Sequence, residues 1–423
     1  MRGFLAVIGI GFVALGCGRP AGPPAPPTSE ILASADPDLH SLDRPATDTG
    51  VENRQPLLPP EWSSGDWPGW RGAAQDGVAT GVPVPTEWTE TRNVLWKTPL
   101  PGRGHGSPIV LGSSIYLETA DDEVQVQSVM AIDRTRGRKL WKTDLHKGAF
   151  DQRLHAENTQ ASSTLATDGE RLFAVFLNNQ RIWCSALDLK GEELWRMEVG
   201  GFQSRFGFST SPIIGGPYVY IAADHEDGGF IAALRRDTGN IVWRRKRGQF
   251  ASYASPRLVK LGEKSLLVLS GGGAITAYHP ASGDELWSVP GTAQSTVSTV
   301  VTYRDFVIAS GGYQGSETVA LRADGSVAWR NKEMTYVPSM IVVDDHLYAV
   351  QDDGIARCWN AATGKERWKH RLGGKYRVSP VLSGDNLIVT DMAGKTVVFR
   401  ADPNRFELIA ENQLGTDGFA SPA

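Results

Sequence analysis

The sequence is poor in cysteine: Cys17, Cys184 and Cys358 are the only thiols in 423 residues, and they are widely separated. That excludes a disulfide scaffold and a thiolate metal cluster, both of which need several closely spaced cysteines. A surplus of positive charge is also missing. There are 43 Lys plus Arg against 47 Asp plus Glu, and residues 1–66, with 4 basic and 8 acidic side chains, account for the whole imbalance. The rest of the chain is neutral and lacks the basic face that phosphate backbones require, so nucleic acid is excluded as a partner. Beyond residue 15 no stretch is apolar enough to cross a bilayer as a helix. Helical periodicity is absent from the body of the chain. Glycine, with 47 residues, and tryptophan, with 13, are plentiful, which predicts many tight turns and many large packed rings.

Residues 4–15 form an apolar stretch behind Arg2, too short to span a bilayer and of the length of a secretory signal core. The stretch ends in Ala14-Leu15-Gly16-Cys17, which resembles a lipobox with its leucine one place later than usual. Residues 1–17 therefore read as a signal peptide and Cys17 as a lipidation site. The expectation is an exported lipoprotein of the outer membrane or periplasm, touching the membrane through its N-terminal lipid alone; secretion in free form is the alternative. Residues 18–65 read as a flexible linker, with ten prolines between 18 and 60. Residues 66–423 form the folded domain.

That domain is repetitive. A glycine stands four residues before a tryptophan in the pairs Gly137/Trp141, Gly191/Trp195, Gly239/Trp243, Gly283/Trp287, Gly325/Trp329 and Gly364/Trp368. The glycine ends a short polar turn where positive φ is tolerated, and apolar alternation on both sides predicts two antiparallel strands. A second mark, Ser-Pro or a relative, opens each unit at 107, 164, 211, 255, 298, 339 and 379, and again at Ser421-Pro422. The period is about 45 residues, that of a four-stranded propeller blade. The predicted fold is an all-β propeller of four-stranded antiparallel blades, with the periodic rings packed between blades. Eight blades with an incomplete last one are expected, Trp96 supplying its outer strand; seven is the alternative.

These repeats resemble the PQQ-like β-propellers, named for the pyrroloquinoline-quinone dehydrogenases; the BamB family of outer-membrane assembly lipoproteins shares the architecture. The chain also resembles exported PQQ-like repeat proteins of planctomycete type. The resemblance rests on Trp67-Pro-Gly-Trp-Arg-Gly72, Asp76-Gly77, Leu95-Trp96-Lys-Thr-Pro-Leu-Pro-Gly102, Thr167-Asp-Gly-Glu-Arg171, Ala410-Glu-Asn412 and Ala420-Ser-Pro422, and spans about residues 66–423. The resemblance implies fold more than activity. In the dehydrogenases the quinone stacks on a tryptophan over the ring axis, faced by a disulfide of adjacent cysteines and by a calcium ion. Here no cysteines are adjacent, and the expected cofactor is none, PQQ being disfavoured.

Two polar clusters carry ligand-type atoms, His155-Ala-Glu157-Asn158 and Asp224-His225-Glu226-Asp227. Either suits a hard cation or a zinc, yet a solvated turn or a local hydrogen-bond network accounts for each as well. No metal site is assigned. Gly271-Gly-Gly273 lacks a following Lys-Ser/Thr and reads as a turn rather than a phosphate loop. Segments just before the Ser-Pro marks should gather at one mouth of the central channel. The binding candidates there are His105, His155, Glu157, Asn158, Arg205, Gln249, Tyr253, Tyr336 and Lys375, a mixture of rings, amides and charges suited to a polypeptide or sugar surface. Trp67, Trp70 and Arg71, outside the periodic set, are expected to pack at one end of the ring. The functional expectation is a non-catalytic binding or scaffold protein with a protein partner in the cell envelope, in outer-membrane or envelope protein assembly. The alternatives are a quinoprotein, genuine or degenerate, and a propeller binding a small molecule or glycan.

Overall fold

The computed structural model describes residues 61–423 apart from 82, 151–153, 205, 314, 316, 416 and 417, and every regular element among them is a strand. The signal peptide, Cys17 and nearly all of the linker lie outside the described residues. Seven sheets follow one another along the chain, over residues 109–147, 166–201, 213–246, 257–290, 301–331, 341–371 and 381–413. Each is a four-stranded antiparallel meander, and the seventh gains a fifth strand, Val78–Ala79, parallel to Val381–Ser383.

Burial along one sheet shows why the sequence folds this way. In the first, Ile109–Leu111, Ser114–Asp121 and Val126–Asp133 are largely buried, whereas Lys139–Lys147 is mostly exposed or half-buried. Middle strands need apolar residues on both faces because a neighbouring sheet covers each face; the outer strand meets water along one edge. The core is accordingly a series of layers. Phe173 and Val175 of the second sheet pack with Val219 and Ile221 of the third, and Val268 and Ala277 of the fourth with Val307 and Val319 of the fifth.

The periodic tryptophans lie in these layers, and the contacts explain the glycine spacing in a way sequence did not foresee. Each glycine packs against the tryptophan of the preceding unit rather than the one four residues on: Gly137 against Trp96, Gly191 against Trp141, Gly239 against Trp195, Gly283 against Trp243, Gly325 against Trp287 and Gly364 against Trp329. Each indole N–H also donates to a carbonyl in that same next turn, as Trp141 does to Leu189 (3.0 Å) and Trp329 to Ala361 (3.0 Å). Trp368 ends the series by donating to Asp402 (2.8 Å), with Phe406 packed against its ring in place of a glycine turn. One residue pair per unit thus joins each sheet to the next.

Between the seventh and first sheets the layer is built differently. Trp96 stands on Gly137 and donates to Arg134 (2.9 Å), as the other tryptophans do one unit on. Ser421 accepts the backbone N–H of Ser379 (2.9 Å), continuing the Ser-Pro series. Among the described residues no strand lies between these two segments, and a cavity of about 730 Å³, lined in part by Val381, Ile388, Thr390 and Trp88, separates them. Neither segment forms a strand, so the outer strand expected at Trp96 is not made and the described residues hold seven sheets; Trp96 contributes its ring to the layer without a sheet of its own.

One layer carries a titratable ring. His146, on the outer strand of the first sheet, is buried against Phe176 and Trp183 at centroid distances of 6.0 and 5.8 Å. Burial, with repulsion from Arg196, lowers its pKa to about 4. The unfolded ring titrates near 6.5, so its contribution to stability is complete above that pH and is lost as pH falls through the folded value. We expect His146→Phe to lose less stability than the parent between pH 7 and pH 4, the gap reaching about 3 kcal/mol. Urea unfolding across that range measures it; parallel profiles for the two proteins would contradict it.

Candidate functional site

The Ser-Pro marks open the innermost strands and do so with a defined chemistry. In two runs the N–H at one mark donates to the hydroxyl of the next: Ser107 to Thr164, Thr164 to Ser211 and Ser211 to Ser255, then Thr299 to Ser339, Ser339 to Ser379 and Ser379 to Ser421, all at 2.9–3.0 Å. An N–H at the start of an inner strand has no ladder partner on the axial side, and a hydroxyl from the neighbouring unit supplies one. The proline that follows has no N–H needing a partner. Of these residues, Thr164, Ser211, Ser255, Ser379 and Ser421 line an axial cavity of about 750 Å³.

One end of the ring is covered by the segment after the linker. Trp67 pairs with Val110, Thr167 N–H donates to Pro68 (2.9 Å), and Leu382 N–H donates to Gly77 (2.9 Å). Trp70 donates from its indole to Thr299 (2.8 Å), and the buried Arg71 donates to the carbonyls of Asp76 and Met340, both at 2.6 Å. Arg257 reaches the carbonyl of Ala74 (3.2 Å). Partners on the first, second, fourth, fifth, sixth and seventh units, each one to three residues past its unit's Ser-Pro mark, make this a strap on the far side of the marks from the loops that enter those strands. Trp70 lines the cavity from that side.

The other face carries the candidate residues. His105, His155, Glu157, Asn158, Gln249, Tyr253 and Tyr336 all line the axial cavity. Lys375 is exposed and does not line it, and Arg205 lies outside the described residues. The mouth is organised by hydrogen bonds. Asn158 donates to the carbonyl of Phe206 (2.6 Å), the His155 ring lies 5.4 Å from that of Phe206, and Tyr253 O–H is 3.0 Å from Ser204 Oγ. His155 Nδ1 accepts the N–H of Glu157 (3.2 Å). Glu157 Oε2 in turn meets Arg377 Nε at 2.9 Å, and Arg377 Nη1 meets Asp352 Oδ1 at 3.2 Å. The hydrogen bond from Arg377 holds the Glu157 carboxyl below its ordinary pKa. Burial pushes Asp352 up, opposed by the N–H groups of Tyr336 and Val337 that it accepts.

Sequence reasoning missed Asp352, which lies in a turn between two strands of the sixth sheet, and the aromatic wall completed by Tyr313 and Phe419. Phe419 stacks on His105 at 4.5 Å with the rings 4° from parallel, and this pair lines both the axial cavity and the one between the seventh and first sheets. No local motif marks such residues, because only ring closure brings them to one mouth.

The second polar cluster resolves into separate roles. Asp224 is fully engaged by Arg247, at 2.7 and 3.1 Å, with both side chains buried. His225 packs its ring 5.1 Å from Phe202, and Glu226 lines the axial cavity. Gly272 and Gly273 donate to Gln294 and Ala293 in a turn between strands.

A quinone bearing three carboxylates, as the dehydrogenases hold it, does not fit this donor set. Arg377 is the one Arg or Lys among the described lining residues, and Glu157 and Asp352 already share it. No group of three or more His, Cys, Asp or Glu among the described residues is placed to hold a metal ion. Cys184 and Cys358 are buried free thiols on the second and sixth sheets.

Antiparallel four-stranded sheets, tied in sequence around an axial cavity that is covered at one end, define a PQQ-like β-propeller. The chain belongs to the family described as outer membrane protein assembly factor BamB, whose profile matches residues 125–370 and 315–405. It is 24% identical over 359 residues to outer membrane protein assembly factor BamB of Burkholderia pseudomallei (strain K96243), covering 80% of this chain and 86% of that protein. Among solved structures it is similar to quinohemoprotein alcohol dehydrogenase from Comamonas testosteroni, with a TM-score of 0.60, 12% identity and coverage of 85% of this chain and 74% of that one. It also matches BamB from Moraxella catarrhalis, with a TM-score of 0.48, 17% identity and coverage of 64% and 80%. The likeness to the dehydrogenase is one of fold.

Proposed function

We propose that this chain is an exported, non-catalytic scaffold of envelope protein assembly, tethered through lipid on Cys17, that binds a protein partner at the channel mouth. The observation that carries the reading is the family membership, together with identity to an assembly factor along most of both chains. The mouth supports it chemically. Tyr253, Tyr313 and Tyr336 provide apolar area with polar tips, Phe206 adds an apolar ring, and Gln249, Gln294 and Asn158 provide adaptable hydrogen bonding, the combination that protein-binding surfaces favour.

Crosslinked affinity capture of the full-length protein from native membranes, compared with Cys17→Ala and read by mass spectrometry, tests the proposal. Enrichment of barrel-assembly proteins that falls in the Cys17→Ala form is the expected result. Recovery of glycan-processing enzymes or soluble exported proteins instead would overturn it. Capture of no partner would also count against it and favour small-molecule recognition, for which a cavity of about 750 Å³ is of suitable size.

A further inference from the structure

The ion pair at the mouth joins residues 220 apart in sequence. Glu157 is on the loop entering the second sheet and Arg377 on the loop entering the seventh. Going round the ring between those two sheets, one passes the first sheet and the segment that carries Phe419, so the pair reaches over the sector occupied by His105 and Phe419. The strap carrying Trp70 covers the opposite end. A ligand approaching the axial cavity from the loop face therefore meets this pair. We propose that Glu157 and Arg377 form a latch across the mouth, whose opening regulates access to the cavity; this rests on the mouth being the binding surface.

The two halves of the latch are held unequally. Arg377 keeps Asp352 Oδ1 and the carbonyl of Tyr376 on its own side, and Asp352 is itself fixed by two backbone N–H groups. Glu157 has only Arg377 as a side-chain partner among the bonds described, and its loop is fastened a residue later, where Asn158 meets Phe206 and Ser162. Breaking the pair thus frees the Glu157 side and leaves Arg377 docked. The side chains are 27% and 38% exposed, so water and salt compete for the bond, and such a pair is readily broken and remade. A permanent structural tie would call for burial, as at Asp224 and Arg247, where the side chains are 3% and 4% exposed.

The test needs no knowledge of the ligand. Ser209, which lines the cavity, is replaced by cysteine in the full chain carrying Cys17→Ala; the remaining thiols, Cys184 and Cys358, are buried. Labelling rates are measured with N-ethylmaleimide and with a bulky polyethylene-glycol maleimide. Glu157→Gln and Arg377→Gln are each expected to speed the bulky reagent by about two- to five-fold, the factor a partly exposed ion pair allows, and to leave the small reagent unchanged. Raising ionic strength should speed bulky labelling when the pair is intact and have no effect in either variant. Equal bulky-reagent rates in all three proteins would overturn the latch, as would a salt effect that persists in the variants. Glu157→Gln leaves the Arg377–Asp352 contact in place, so a folding defect confined to Arg377→Gln does not remove the test. Membrane capture addresses the scaffold reading separately, so either idea can fail alone.

Discussion

Replacing Arg247 with methionine is expected to lower the unfolding free energy by about 3–5 kcal/mol, the cost of leaving a buried charge without its partner. The stranded group is Asp224. Both its oxygens are engaged by Arg247, at 2.7 and 3.1 Å, and the same guanidinium donates to Tyr278 O–H at 2.7 Å. Burial drives the Asp224 carboxyl above its ordinary pKa, and Arg247 is what opposes this. Without Arg247 the carboxyl takes up a proton more readily, so the penalty should shrink as pH falls. Asp224→Asn combined with Arg247→Met should recover much of the loss, because neither charge then remains in the core. Urea unfolding of the two single variants and the double variant decides the matter. Strictly additive losses would show that the ion pair is not the coupling element.

Gly283→Ala is expected to cost about 3 kcal/mol, whereas Gly262→Ala should cost only about 1 kcal/mol, the ordinary penalty for a side chain in the left-handed region. Both glycines have positive φ, +71° and +58°, so the backbone cost is common to them. They differ in what a Cβ would meet. At Gly262 nothing lies within 4 Å, but at Gly283 the ring of Trp243 stands 2.5 Å away. That ring is 3% exposed and its N–H donates to Pro280 (3.0 Å), so moving it opens the layer between the third and fourth sheets and strains a buried hydrogen bond. Thermal unfolding of the two variants side by side measures the difference. Equal losses would mean that the turn conformation, and not the tryptophan contact, is why the glycine is needed.

Much of this architecture was legible because each unit repeats the same solution. Apolar alternation, a polar turn ending in glycine, and a tryptophan at constant offset are local signals, and repetition makes them readable one unit at a time. The seven sheets and the layered tryptophans follow from them. The same holds for the segment at Trp67, Trp70 and Arg71, whose rings fall outside the period and which packs at one end of the ring.

The partners of these residues were not legible. The spacing Gly283/Trp287 suggests a pair within one hairpin, but Gly283 packs against Trp243 and Trp287 against Gly325. The hydroxyls of the Ser-Pro marks likewise serve the N–H of the preceding unit, from Ser107 to Thr164 and on to Ser211. Lys375 and Arg377 look equivalent in sequence, yet only Arg377 lines the cavity, where it holds Glu157. Asp224 and Glu226, two residues apart on one turn, divide between a buried ion pair and the cavity wall.

The sequence by itself determined the strands, the turns and the repeat, because backbone propensity and apolar period act over a few residues. Tertiary structure alone decided which tryptophan meets which glycine, which cation pairs with Glu157, and which rings share one cavity. Those choices depend on closing a chain of sheets into a ring, which brings residues hundreds of positions apart, such as Glu157 and Arg377, within hydrogen-bonding distance.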